Sequence, residues 1–287
     1  MMRNMENKDF AVFILTHGRP DNVMTYNTLK KSGYTGDIYI VIDNEDKSAD
    51  IYYENFGDKV IMFDKKAIAK TFDEADNFED RRAIVYARNA CFNIAKDLGV
   101  TYFIQMDDDY RSFHFRLYKS NKDKPKRITN IDSVLDVMLD FYKTIPAKSI
   151  AMAQGGDFIG GAGSGTAKNK KLKRKCMNSF ICSTEKPFKF NGRINEDVNT
   201  YTHKATIGEI FFTIPTLSLE QETTQSNKGG MTDIYLDKGT YIKSFYSVIF
   251  QPSSVKVALM GDKNMRLHHR VSWKHTTPVI LEEKYKK

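Results

Sequence analysis

Cysteine is scarce in this 287-residue chain. The three present, Cys91, Cys176 and Cys182, form no CxxC pair, which argues for free thiols and against a disulfide framework or a structural zinc site. Long apolar runs are missing as well. No stretch approaches the ~18 residues that a membrane-spanning helix needs, and the opening MMRNMENKDF lacks the apolar core of a signal peptide. A cytoplasmic protein without a membrane partner is therefore expected. No internal repeat or clear linker interrupts the chain, so a single domain over residues 1–287 is the expected organisation.

Cations, by contrast, are in excess, with a net charge of +8. Phosphates attract lysine and arginine and release counterions on binding, so a polyanionic partner fits this charge, as does a lysine-rich surface that serves solubility alone. Hydrophobic residues make up 41% and aromatics 12% of the chain, enough for a core at this length despite a charged fraction of 28%.

Strand and helix signals alternate through the first part. FAVFIL, residues 10–15, is a continuous apolar run of the kind that parallel sheets bury on both faces. It runs into the polar turn THGRPDN and a helical segment over about 21–32, with Asp21 as candidate N-cap. DIYIVID (37–43) and KVIMFD (59–64) read as further strands with polar ends. Residues 81–100 carry Ile84, Ala87, Cys91, Ile94, Ala95 and Leu98 at helical spacing, with Gly99 as a C′ stop. TYFIQMDDD follows as a fourth strand, and residues 133–145 as an amphipathic helix. GEIFFTIP, YIKSFYSVIF and SVKVALM read as short strands of a β-rich later part. Such a series is an open α/β sheet, whose ligands bind outside the carboxyl ends of the strands. Thr16, His17, Gly18, Arg19, Asp43 and the aspartates 107–109 are thereby expected to converge on one cleft.

Two acidic segments carry candidate chemistry. In the trio Asp107, Asp108 and Asp109, carboxylates at i and i+2 beyond a buried strand suit a hard divalent cation such as Mg2+ or Mn2+, although acidic turns and helix caps also account for such clusters. Glu196 and Asp197 open a helical segment, EDVNTYTHKA. Acidity there complements a helix N-terminus, or supplies a general base for a bound hydroxyl.

ILTHGRPDN, VIDN, ARNACFNIAKDLGVTYFIQMDDDY and NED resemble, in that order, the landmarks of GT-A glycosyltransferases. NGRINEDVNTY and TLSLEQETTQSNKGGMTD are most similar to the phage TET-associated glycosyltransferases, which decorate hydroxymethylated DNA bases. The resemblance implies an α/β, Rossmann-like GT-A fold with a mixed central sheet and a β-rich C-terminal part. Residues 1–118 would bind a nucleotide-sugar and residues 119–287 the acceptor. It implies a metal-dependent, inverting hexosyl- or pentosyltransferase. A UDP-sugar would be the donor, and a 5-hydroxymethylpyrimidine in phage DNA, such as 5-hydroxymethylcytosine, the acceptor. Cytoplasmic would then mean the cytoplasm of the host.

Under the same resemblance Thr16, His17, Gly18 and Arg19 would line the nucleotide pocket, with Asp43 on the uracil or ribose and Arg88 on the diphosphate or sugar. Asp107 and Asp108 would lie along the nucleotide-sugar. Asp109, with Asp107, would hold Mn2+ or Mg2+. Asp197 would be the base, with Glu196 beside it. A late histidine is the third metal ligand in many members; adjacent residues of a strand face opposite sides, so one of His268 and His269 reaches a site, and His269 is the candidate.

The basic run of residues 168–175 supplies Lys168, Lys170, Lys171, Lys173, Arg174 and Lys175 as candidate DNA contacts, with a solvated loop as the ordinary alternative. Phe180, Phe188 and Phe190 nearby are candidates either for core or for packing beside an extruded base. GGDFIGGAGSG lacks the lysine and hydroxyl spacing of a phosphate-cradling loop. Residues 221–233 are a polar loop that could close over the acceptor. Two other functions fit the same residues: a glycosyltransferase for glycan or protein acceptors, and a non-catalytic DNA-binding protein on a nucleotide-binding fold.

Overall fold

The computed structural model describes residues 9–76, 79–117, 124–158, 161–168, 171–222, 236, 239, 241–260 and 265–278. In chain order its main elements are β1 (Phe10–Leu15), α1 (Met24–Lys31), β2 (Asp37–Asp43), α2 (Ala49–Phe56), β3 (Val60–Phe63), α3 (Lys65–Ala69) and α4 (Val85–Asp97). They continue with β4 (Tyr102–Asp107), β5 (Tyr110–Phe115), β6 (Lys126–Arg127), α5 (Ile131–Thr144), β7 (Ala147–Gln154), α6 (Gly165–Lys168) and β8 (Phe180–Ser183). The last are α7 (Glu196–Thr206), β9 (Ile210–Gln221), α8 (Ile242–Phe250), β10 (Val255–Met260) and β11 (Arg266–Val271).

One nine-stranded sheet runs β3-β2-β1-β4-β8-β7-β9-β5-β6, and β10 and β11 form a separate antiparallel hairpin. The first four positions are parallel; β8 runs antiparallel to β4 and β7, so the sheet is mixed, as expected. β1 sits at the centre because its six residues are all buried and serve two cores. Phe10, Val12 and Ile14 face the core built with α5, while Ala11, Phe13 and Leu15 face the core built with α4. This two-sided burial is why the run is apolar without alternation.

The chain leaves β1 towards β2 and β3, then returns to place β4 on the other side of β1. Such a reversal opens a crevice at the strand ends where ligands bind. Register pairs Leu15 with Asp107, so the residues that follow them face each other across that crevice.

Several local expectations hold. Gly99 ends α4 in the left-handed region at φ +69°, and the amphipathic helix expected over 133–145 is α5. Its cap, not foreseen, is Asn130, whose side chain accepts from Ser133 N at 3.1 Å. The three cysteines are buried free thiols, and burial pushes each thiol pKa up.

Other expectations are corrected. α1 begins at Met24 after Val23, with no side-chain cap; Asp21 instead accepts from Asn55 Nδ2 at 3.3 Å. Residues 241–250 form no strand but the helix α8: Ile242, Tyr246 and Phe250 recur at helical spacing, which aromatic and β-branched content had hidden. Ser244, Tyr246 and Ser247 are its buried positions. Helices α2 and α3 and strand β5 complete the fold without having been expected from the sequence.

Candidate active site

The turn after β1 is stitched to three other elements. Thr16 Oγ1 donates to Asp108 Oδ2 at 2.6 Å and lies 2.8 Å from the Tyr52 hydroxyl of α2. Arg19 donates from Nη1 to Asp108 Oδ1 at 3.1 Å and from its backbone N–H to Tyr52 at 2.8 Å. Gly18 takes φ +68°, a left-handed geometry that aims its N–H at Asp46 Oδ2, 2.7 Å away. His17 Nδ1 lies 2.8 Å from Asp43 Oδ2, and Lys65 Nζ, itself buried, lies 3.1 Å from the same oxygen. Burial pushes the Asp43 carboxyl up, but the His17 hydrogen bond and the Lys65 charge together outweigh it and hold Asp43 below the usual carboxylate range.

Thr16, His17, Arg19, Asp43 and all three aspartates line one cavity of about 230 Å³, with Lys65 and Arg82 adding positive charge and Leu15, Phe63, Ala83, Ile84 and Ala87 an apolar wall. The predicted convergence is thus present, with Gly18 holding the turn.

The three aspartates have different partners. Asp107 accepts from Arg88 Nη2 at 2.8 Å, and Asp108 is taken by Thr16 and Arg19. Asp109 differs: its Oδ1 is buried and has no hydrogen-bond partner among the described residues. Burial, with Asp107 and Asp108 close by, pushes Asp109 up to about 7. Burial also raises Asp107, to about 6, against the opposing charge of Arg88. A buried carboxylate oxygen with no donor, beside two further carboxylates, has the donor chemistry of a hard-cation site. Asp109 and Asp107 therefore fit a divalent metal.

Arg88 does not line the cavity. It is 2% exposed, bridges Asp107 and Glu196 (Nε to Oε1, 2.9 Å), and its guanidinium lies 4.7 Å from the Phe180 ring centre. Its donors are spent on holding the two acidic segments together, where the sequence expectation had them on diphosphate or sugar. Next to it, Asp197 is buried in the first turn of α7 and accepts from Val198 N at 2.7 Å. Burial and the neighbouring Glu196 raise the Asp197 pKa, and Lys243 of α8 partly offsets them. Asn195, at φ +61°, enters this helix and lies 3.4 Å from His269 Nδ1. Burial lowers His269 to about 3, so it stays neutral. No three His, Cys, Asp or Glu side chains among the described residues are grouped to hold a metal, so His269 is not gathered with Asp107 and Asp109 into a ready cluster.

Residues 10–230 match the family described as TET-Associated Glycosyltransferase. The chain belongs to this TET-associated glycosyltransferase family. It is a glycosyltransferase, and the non-catalytic alternative falls away. Among solved structures it is similar to glucosyl-3-phosphoglycerate synthase from Mycobacterium tuberculosis, determined with Mn2+, uridine diphosphate and phosphoglyceric acid. Identity is 8%, over 93% of this chain and 90% of that one, with a TM-score of 0.46. A second similar structure is a mycobacterial protein, at 7% identity over 91% and 83% of the two chains and a TM-score of 0.42. No curated protein matches the sequence.

The basic run of this glycosyltransferase is only partly solvated. Lys168 and Lys171 are exposed, whereas Lys173 donates to Thr166 Oγ1 at 2.5 Å and bridges to Thr213 of β9. Arg174 donates to the Trp273 carbonyl at 2.5 Å and lies over its ring, and Lys175 pairs with Asp157. Lys170 and residues 223–233 of the expected acceptor loop lie outside the described residues. Phe180, Phe188 and Phe190 are core: they are 1%, 5% and 0% exposed and pack on one another, which leaves no face for an extruded base.

Sequence reasoning missed Lys65, Tyr52, Arg82 and Lys243. Lys65 was findable, since it follows the third strand and strand ends face the ligand crevice. Tyr52 was not, because its role depends on α2 folding back over the β1 turn.

Proposed function

We propose that this glycosyltransferase moves a sugar from a UDP-sugar to the hydroxymethyl oxygen of a 5-hydroxymethylpyrimidine in DNA, with Mn2+ or Mg2+ and with inversion at the anomeric carbon. The observation that carries the reading is the buried Asp109 Oδ1, without a hydrogen-bond partner among the described residues, in a cavity otherwise supplied with Arg19, Lys65 and Arg82. Asp109 and Asp107 would hold the cation. When bound, it would neutralise the charge that develops on the leaving diphosphate.

The chain's own residues account for the rest. Asp43, ionised beside His17 and Lys65, offers acceptor oxygens to uracil or ribose. The apolar wall formed by Ile84 and Ala87 excludes water from one side of the donor. Asp197 accepts the proton of the hydroxymethyl group as its oxygen bonds to the anomeric carbon. The bond from that carbon to the diphosphate oxygen breaks, and the electron pair departs with UDP. A base whose pKa is raised by burial accepts that proton more readily than an ordinary carboxylate. The net charge of +8 and the exposed Lys168 and Lys171 support a polyanionic acceptor.

Mass spectrometry of nucleosides from hydroxymethylated DNA, after incubation with Mn2+ and a panel of UDP-sugars, tests this. The expected result is a hydroxymethyl nucleoside heavier by one glycosyl unit. Transfer to a glycan array with none to DNA would move the acceptor to glycans or proteins.

A further inference from the structure

The hairpin of β10 and β11 lies outside the segment matched by the family and outside the nine-stranded sheet. Its register sets Lys256 opposite Arg270, Ala258 opposite His268 and Met260 opposite Arg266. Side chains alternate along a strand, so Lys256, Arg266 and Arg270 share one face; His268 turns from it, its ring 4.3 Å from that of His269. Lys256, Arg266 and Arg270 are exposed, and none of them makes an ion pair among the described residues. The other face turns inward only towards its Val255–Val271 end: His269 lies against Asn195 at the start of α7, and Val271 packs on the core.

Like charges directly opposite each other across an antiparallel pair are destabilising. Lys256 and Arg270 therefore cost the free protein stability that an anion seated between them would return. Arg266, four residues from Arg270, extends the cations over about 13 Å of strand. The ribbon also adjoins α7 and, through Trp273, the basic run. Lys243, which acts electrostatically on Asp197, is also influenced by Arg266, and Trp273, just beyond β11, receives Arg174 of the basic run.

We propose that the cationic face of this hairpin is a docking ribbon for duplex DNA, laid along a groove with Lys256, Arg266 and Arg270 on the phosphates, and continuous through Trp273 with the basic run. A two-stranded ribbon matches a B-DNA major groove about 12 Å wide. The assignment rests on the DNA-acceptor reading above.

The test is fluorescence anisotropy with a hydroxymethylated duplex across a salt series, using the full chain, the variant K256E/R266E/R270E and a control, K30E/K31E/K59E, with the same change in net charge. Thermal melting checks each fold. Each lost phosphate contact lowers the slope of log K against log salt by about 0.9, so the ribbon variant is expected to lose about 2 to 3 from that slope. Its Kd near physiological salt should weaken at least tenfold, with little change in the control. Should the triple variant melt early, Arg270→Gln is expected to lower the slope by about 1.

An unchanged slope in these variants, or an equal loss in the control, removes the hairpin from the interface. The opposite face exposes Leu259 and its cross-strand partner Leu267, so vesicles containing phosphatidylserine form a further arm. Loss of vesicle binding with DNA binding intact would overturn the assignment in favour of a membrane. If the unmodified protein neither binds nor glycosylates the duplex, the acceptor reading fails and the ribbon with it. If it does both and the ribbon variant matches it, only the ribbon fails.

Discussion

Arg88 Nε donates to Glu196 Oε1 across 2.9 Å, joining residues 108 positions apart in the chain. The same guanidinium holds Asp107, so the acidic end of β4 and the acidic start of α7 are fixed relative to each other by one buried side chain. Arg88→Ala would leave two carboxylates without their cation in a buried setting. Breaking such a pair costs about 3–5 kcal/mol. Chemical denaturation should show that loss, and Arg88→Lys should recover little of it, because a single ammonium cannot reproduce the guanidinium fork. An Arg88→Ala variant with the parent midpoint would remove the bridge from the folding argument.

Asp109→Asn should remove Mn2+-dependent UDP binding while keeping the fold, since the carboxylate it replaces has a buried oxygen without a partner among the described residues. Calorimetry with and without EDTA is the measurement. Metal-dependent UDP affinity that survives the substitution would place the cation elsewhere.

The pKa of Asp109, raised by burial to about 7, has a consequence for pH. A cation competes with the proton on this carboxylate, so Mn2+ affinity should rise up to about tenfold per pH unit below 7 and level off above it. Stability runs the other way. The folded pKa lies above the unfolded value, so the folded state holds more protons, and the metal-free protein should lose stability as pH rises towards 7. Asp109→Asn should make both profiles shallower, with Asp107 and Asp197, also raised by burial, carrying what slope is left. A parent protein with equal Mn2+ affinity at pH 6 and pH 8 would count against the assignment.

Asp197→Asn should leave UDP affinity near that of the parent and lower turnover about 10²–10⁴-fold, the range for general base catalysis. Steady-state transfer assays beside a UDP titration separate the two effects. Nearly full turnover in this variant would hand the base role to another group.

Within the basic run, position decides the outcome. Charge reversal at the exposed Lys168 and Lys171 should weaken duplex binding and flatten its salt dependence. Lys175→Ala should instead lower the melting temperature, because it leaves Asp157 without its cation. Similar effects of the two changes on DNA binding would mean that Lys175 also reaches the phosphates.

Much of the site was legible from the chain itself. Strand ends at Leu15, Asp43 and Asp107 could be read because a buried parallel strand is apolar throughout and stops where water or ligand begins. Thr16, Arg19, Asp43 and the aspartates followed from the rule that such ends face a common crevice, and their shared cavity bears this out. Arg88 was singled out for a bound diphosphate or sugar, and its direction, towards Asp107 and Glu196, was not legible. A helical position says which face is buried, and nothing about which of several acids a buried arginine will meet. The helix at 242–250 was misread because aromatic and β-branched residues favour strands by composition, whereas in the fold Ser244, Tyr246 and Ser247 form its buried face and Tyr246 packs with Ile194. Phe180, Phe188 and Phe190 could be read as core or as a base platform; they are core, with Phe180 and Phe190 under Arg88 and Phe188 packed on Phe190 and Phe211.

The sequence by itself determined the apolar runs, the helical spacings, the acidic segments and the excess of cations, because each depends on neighbours within a turn or a strand. Only the tertiary structure decided which aspartate of the three keeps an oxygen without a donor among the described residues, that Lys173 and Lys175 of the basic run are already paired, and that a cationic hairpin lies against Asn195 at the start of α7. Those outcomes depend on contacts between segments about a hundred residues apart, where burial and pairing are settled by which charges the folded chain brings within hydrogen-bond reach.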